Sequence, residues 1–123
     1  MNFDDYFDIQ QTAARYGHVL DEFAWERLPD VFTDDVEYDL SAFDRPSLHG
    51  IDAIAEAFAG RTIFAHHATN LEITAEHGDR VEAHSKYVAV RAEGVVTGDY
   101  RDRWVKTPAG WRIAYRAATI REP

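Results

Sequence analysis

Ile63-Phe64-Ala65-His66-His67-Ala68-Thr69-Asn70-Leu71-Glu72-Ile73 is the stretch across which the chain changes its period. Upstream, Tyr6, Ile9, Ala13, Tyr16, Leu20 and Phe23 recur at spacings of three and four, one apolar stripe of a helix from Asn2 to Phe23. Downstream, Leu71, Ile73 and Ala75 alternate with Glu72, Thr74 and Glu76, the period of a half-buried strand. The same stretch sets two adjacent histidines and an asparagine at the mouth of that strand. Histidine is the side chain that exchanges protons near neutral pH, so this is the first place to look for chemistry.

Working outward, Asn2 is a suitable N-cap, and Asp4 and Asp5 suit the positive end of the helix dipole. A second short helix is expected over Trp25 to Phe32, with Pro29 tolerated only in its first turn. Asp34-Asp35 breaks that pattern, and Val36 to Leu40 reads as a strand. Ser41 to His49, with Pro46, reads as a loop. Gly50 opens a third helix that buries Ile51, Ile54, Ala55 and Phe58 and stops at Gly60.

Beyond Glu76 the turn residues His77-Gly78-Asp79, Ala92-Glu93-Gly94 and Thr107-Pro108-Ala109-Gly110 separate three further strands. These are Arg80–Arg91, Val95–Lys106 and Trp111–Ile120, a meander of antiparallel hairpins. Helices first and strands second is the order of an α+β domain: a curved antiparallel or mixed sheet with three N-terminal helices over its concave face. A pocket between the two layers is the expected place for function.

Composition narrows the classes. At 123 residues there is room for one domain, 1–123, with one core. Apolar residues at 46% and aromatics at 13% fit a folded protein. There is no cysteine, which excludes disulfides, thiolate metal sites and thiol nucleophiles. A small domain without disulfides is the usual cytoplasmic case. The acidic start Met1-Asn2-Phe3-Asp4-Asp5 lacks the basic and apolar regions of a signal peptide, and no apolar run reaches the ~20 residues of a membrane span. A formal charge of −9 opposes nucleic acid and anionic membranes as partners. A small neutral molecule or another protein is the expected partner.

The blocks Arg15-Tyr16-Gly17-His18-Val19-Leu20-Asp21, Trp25-Glu26-Arg27-Leu28, Gly50-Ile51-Asp52-Ala53-Ile54, His66-His67-Ala68-Thr69-Asn70, Gly98-Asp99-Tyr100-Arg101-Asp102 and Gly110-Trp111-Arg112-Ile113 follow one another in a familiar order. Together they resemble the SnoaL-like proteins of the nuclear transport factor 2-like superfamily, a cone-shaped α+β fold. The pattern is most similar to the scytalone and bile-acid dehydratases. The resemblance implies a cofactor-independent lyase of dehydratase type, acting on a small cyclic or polyketide-like hydroxy-carbonyl compound. It also implies a homodimer. The family is mixed, so a polyketide cyclase, an isomerase or a non-catalytic small-molecule-binding module stays open.

The resemblance makes Tyr16, Asp21 and His66 the catalytic candidates. Tyr16 and Asp21 lie five residues apart, about 140° around a helix, with Gly17 between them leaving room for an approaching group. His66 matches the general acid/base of the dehydratases, and a His–Asp pair fixes the imidazole tautomer and raises its basicity. Tyr16 would hydrogen-bond a carbonyl oxygen as charge develops.

Adjacent strand residues face opposite ways, so at most one of His66 and His67 enters a pocket. His67, Asn70, Asp39, Val90 and Phe23 are the expected substrate-contacting residues. Asn70 orients a ligand or caps a local turn. Val90 stands by spacing where the dehydratases carry a His or Asp, with His84 and Lys86 on its face, which counts against dehydration specifically. A rival reading, similar to ketosteroid isomerase, pairs Tyr16 with Asp39 as the base. Metal binding is not expected, because adjacent histidines lack converging ligand spacing.

Overall fold

The structure, a computed structural model, describes residues 1–60 and 63–123. Helix α1 runs Phe3–Asp21. Its start follows the sequence: the Asn2 side chain accepts from the Asp5 N–H, and the Asp5 carboxylate accepts from the Asn2 N–H, a reciprocal cap. Ile9, Ala13, Tyr16, Val19 and Leu20 form its buried stripe. The larger aliphatic ones, Ile9, Val19 and Leu20, each contribute roughly 1.5–3 kcal/mol by leaving water.

The helix ends two residues earlier than the period suggests. Phe23 takes a left-handed φ of 52°, and the Ala24 and Phe23 N–H groups donate back to the Val19 and Leu20 carbonyls. That is the ordinary helix stop usually made by glycine. Phe23 is therefore an exposed terminator packed on Trp25, not a pocket residue.

The expected second helix is a short 3-10 segment, Trp25–Asp30. Pro29 lies near its end rather than in its first turn, where the missing N–H keeps the segment from continuing. Strand β1 starts sooner than expected and spans Phe32–Asp39. Asp34 and Asp35 do not interrupt it; they occupy an exposed irregularity in its pairing. Leu48–His49 forms a two-residue strand β2, then α2 covers Ile51–Ala59 between Gly50 and Gly60. The remaining strands are β3 (Ile63–Glu76), β4 (Arg80–Arg91), β5 (Gly94–Thr107) and β6 (Gly110–Ala118).

The six strands make one curved sheet in the order β2-β1-β6-β5-β4-β3, antiparallel except for the β1–β6 pair. It is a mixed sheet. Helix α1 lies across β3 and β6, and α2 against β1 and β2. Leu28, Phe32, Val36, Ile54, Trp104 and Ile113 fill the space between. Trp111 and Ile113 belong to this core, leaving Tyr115 alone on the outer face. Among the described residues no helix is long and apolar enough to cross a membrane.

Two bulges decide which side chains face inward. In β3 the register shifts between Thr69 and Glu72, and Asn70 there adopts φ 58°. One extra residue inverts the alternation. His66 pairs with Ala89 and Ile73 with Ala83, so an even and an odd residue face the same way on either side of Asn70. In β6 the shift opposite Arg103 and Trp104 makes Ala114 the extra residue: Ile113 points in before it, Arg116 and Ala118 after it.

Asp5 ties the start of α1 to the sheet. The Trp111 indole N–H donates to Asp5 Oδ1 at 2.9 Å, and Lys106 Nζ lies 3.0 Å away. These two contacts lower the Asp5 pKa from its usual 3.8 to about 2. A carboxylate depressed in the folded state stabilises fully above its unfolded pKa and loses that contribution as pH falls through the folded one. Asp5→Asn is accordingly expected to flatten the fall in stability between about pH 4 and pH 2. Urea midpoints measured across that window will show it.

Candidate active site

A cavity of about 240 Å³ lies between the helices and the sheet, with Tyr16, Tyr38, His66 and Tyr100 among its lining. A larger open groove of about 940 Å³ runs between Phe3, Tyr6 and the last third of β3, but no histidine or catalytic candidate lines it. The converging polar groups are in the smaller cavity.

His66 is held from two directions. Its main-chain N–H donates to both Asp21 carboxylate oxygens, at 3.1 and 2.9 Å, and its Nδ1 lies 2.6 Å from Asp21 Oδ1. Asp21 can do this because it is the last residue of α1, where the helix meets β3. An anion is unfavourable beside the negative end of a helix dipole, and three contacts to His66 offset that. With Nδ1 engaged by the carboxylate, Nε2 is the ring nitrogen left for the cavity. The imidazole packs edge-on to Tyr16 and Phe58, centroids 6.1 and 6.2 Å away, and its side chain is only 9% exposed.

Gly17 makes this approach possible. A Cβ at position 17 would stand 2.6 Å from the His66 carbonyl oxygen, which is backbone and cannot swing aside. Gly17→Ala should therefore push β3 off α1, costing about 1–3 kcal/mol by overpacking and lengthening the Asp21–His66 contact. Thermal melting together with His66 imidazole chemical shifts will register both effects.

Tyr16 faces the cavity from the middle of α1, and its hydroxyl lies 2.7 Å from that of Tyr38 on β1. Tyr100 meets the Tyr16 ring edge-on and stacks on Tyr87, centroids 5.7 and 4.7 Å away. Burial, foremost, holds the Tyr38 and Tyr100 hydroxyls well above their ordinary pKa, and pushes Tyr87 to about 12. These phenols stay protonated at neutral pH and act as hydrogen-bond donors, not bases. Beneath them the Arg116 guanidinium lies 3.9 Å from the Tyr100 ring centroid and 4.5 Å from that of Tyr16. Arg116 is fixed by Asp102 through bonds of 2.8 and 2.9 Å, with both side chains fully buried.

Several expected contacts fall elsewhere. His67 pairs with Val88 and is exposed on the outer face. Asn70 is the exposed bulge residue whose left-handed backbone inverts β3, and it lies away from the cavity. Val90 also faces out, with Ala89 and Arg91 lining the cavity on either side of it. A one-residue error in strand register flips the face, so the spacing argument picked the wrong neighbour. His84 shares that outer face, where Asp99 engages it at 2.9 Å and also takes both contacts from Arg121.

Asp39 points away too. Its carboxylate accepts from the Tyr115 hydroxyl at 2.7 Å and from the Ser41 N–H at 2.9 Å, and these bonds keep its pKa below the usual value. Its neighbour Tyr38 takes the inward position on β1. Tyr16 and Asp39 are thus not brought together. Among the described residues no three His, Asp or Glu side chains converge as metal ligands would.

Sequence reasoning missed Tyr38, Tyr87, Tyr100, Arg91 and the Asp102–Arg116 pair. A signal existed for Tyr38: Val36, Tyr38 and Leu40 alternate with Glu37 and Asp39. For Arg116 the plain alternation pointed the wrong way, because the bulge is silent in the sequence.

The sequence pattern of the SnoaL-like domain matches residues 2–117. The chain belongs to the SnoaL-like family. Solved structures similar to this SnoaL-like chain share its fold throughout. An NTF2-like protein with a cystatin-like fold from Novosphingobium aromaticivorans is 27% identical, with a TM-score of 0.82 over 95% of this chain and 82% of that one. A protein of the same organism, described as a candidate aromatic ring hydroxylase, is also 27% identical, with a TM-score of 0.83 over 100% and 93%. A third, described as a candidate scytalone dehydratase from that organism, is 21% identical, with a TM-score of 0.82 over 98% and 87%, a likeness of fold. No curated protein matches the SnoaL-like chain.

Proposed function

We propose that this protein is a cofactor-independent acid/base lyase of dehydratase type, acting on a small cyclic hydroxy-carbonyl compound. The observation that carries the reading is the Asp21–His66 pair at 2.6 Å, with the imidazole lining a cavity opposite the Tyr16 and Tyr38 hydroxyls. Asp21 holds the proton on Nδ1, so Nε2 presents its lone pair to the cavity. Nε2 takes a proton from the carbon next to the substrate carbonyl, and Asp21 stabilises the imidazolium that results. The enolate oxygen accepts a hydrogen bond from the tyrosine pair. As the carbon–carbon double bond forms, the bond to the β-hydroxyl breaks, and the proton on Nε2 leaves with that oxygen as water.

The rival base Asp39 loses support, since it faces away and is already engaged by Tyr115 and Ser41. The apolar-to-aromatic lining suits rings, and the size favours small ones: a cavity of about 150 Å³ takes benzene, and drug-sized sites run to roughly 300–1,000 Å³.

The test is proton exchange and elimination on cyclic β-hydroxy ketones, followed by NMR in deuterated water. The native protein should exchange the α-proton and release water, and His66→Ala should lose both by ~10²–10⁴-fold with its fold intact. Equal rates in the variant would end the enzymatic reading and leave a binding module.

A further inference from the structure

The charge of the cavity is opposite to that of the chain. The sequence carries 22 acidic residues against 13 Lys and Arg. Among the described residues, however, the cavity is lined by Arg45, Arg91 and His66 and by no Asp or Glu. Asp21, the nearest carboxylate to the chemistry, is spent on His66.

Arg45 follows β1 and Arg91 ends β4, and these two strands run the same way, so both arginines lie beyond the same end of the sheet. Tyr16 and Tyr38 are buried at the cavity floor, at 1% and 2% exposure, whereas the Arg91 side chain is 38% exposed and Arg45 is exposed. Among the described residues neither guanidinium is committed to a buried partner, and Arg45 donates only its main-chain N–H, to the Leu40 carbonyl. Arg91 reaches Glu93 through one nitrogen at 3.4 Å, an exposed pair of the kind that is worth little. The Arg91 Nε is buried and has no hydrogen-bond partner among the described residues. A buried donor without a partner is costly, and a ligand acceptor in the cavity relieves it.

We infer that the substrate is a carboxylate, held by Arg45 and Arg91 at the cavity rim with its ring inward against the tyrosines. The inference rests on reading this cavity as the substrate site, and it names the class of substrate. Guanidinium presents paired donors that match the two oxygens of a carboxylate, a fit a neutral amide or ester cannot reproduce. Anchoring at the rim fixes which end enters. The carboxylate stays near water, and the reacting carbonyl is delivered to Tyr16 and His66. In an acidic protein, a local cationic rim also selects which small anions are admitted.

The probes are 3-hydroxybenzoate and its uncharged counterpart 3-hydroxybenzamide, equal in heavy-atom count and small enough for the cavity. Binding is followed by calorimetry and by amide chemical shifts. The native protein should bind the acid about tenfold or more tightly than the amide, since a charged hydrogen bond is worth at least that factor. The preference should shrink at high salt, because the rim is exposed. Arg45→Gln and Arg91→Gln should each remove most of it, and Arg91→Lys should keep part.

The preference is read from binding alone, without turnover, so a failure of the acid/base reading leaves this result untouched. If Arg91→Gln does not fold, Arg45→Gln on its exposed loop carries the comparison. Equal affinity for acid and amide would overturn the inference. So would a preference that survives the Arg45→Gln/Arg91→Gln double variant, or no binding of either probe at millimolar concentration.

Discussion

Asp21→Asn is expected to lower turnover by ~10²–10⁴-fold while changing stability far less. The asparagine is isosteric, and its carbonyl oxygen still accepts from the His66 main-chain N–H, now held at 2.9 and 3.1 Å by the two carboxylate oxygens. The junction between α1 and β3 therefore survives. The charge does not. Without it nothing stabilises an imidazolium at His66, and the amide NH₂ can turn to donate to Nδ1, placing the proton on Nε2 where the lone pair is needed. The variant should keep its melting temperature within a few degrees and lose most of its rate. Asp21→Ala, by contrast, should lose both, because the main-chain N–H is left without an acceptor at a half-buried contact. Imidazole nitrogen shifts report the tautomer directly. A variant with the native tautomer and native rate would show Asp21 to be a structural anchor only.

The fold was legible because its signals are periodic. The α1 stripe from Ile9 to Leu20 and the Asn2 cap follow directly from residue spacing, as do the turns at Gly78, Gly94 and Gly110, although Tyr6, read as part of the stripe, is exposed. What stayed hidden were the breaks in period. Counting back by twos from Ile73 and Leu71 puts His67 inward and His66 outward, the reverse of what is found. Only the extra residue at Asn70 corrects the phase. Asparagine tolerates the left-handed conformation better than most residues, a hint consistent with a bulge but equally with a turn. The family likeness pointed to His66, and backbone geometry supplies the reason. The same device in β6 turns Arg116 inward and Tyr115 outward, so a buried cation stands where plain alternation from Ile113 puts Tyr115. Asp39 and Val90 failed for the converse reason: in an unbulged stretch, a position off by one residue means the opposite face.

The largest effect on stability is expected at Arg116. Arg116→Met should cost about 3–5 kcal/mol, because it leaves the Asp102 carboxylate buried and unpaired. Both side chains are wholly buried, and the carboxylate accepts both guanidinium bonds, so neither group has water to fall back on. For a domain of this size that loss lowers Tm by on the order of 10–20 °C. The direction of repair is the sharper test. Asp102→Leu combined with Arg116→Met removes both charges and substitutes apolar volume, and it should recover most of the loss, since well-packed hydrophobic residues often match or better a buried ion pair. The double-mutant cycle should therefore show strong positive coupling between two residues in direct contact. Full recovery is not expected. The guanidinium also stacks on Tyr100 and Tyr16 at 3.9 and 4.5 Å, and a thioether replaces only part of that contact. Among the described residues one guanidinium nitrogen, Nη1, is also buried without a partner, a penalty the double variant removes. Chemical denaturation of the four proteins decides it: additive losses in the cycle would mean that the two charges are not stabilising each other in the core.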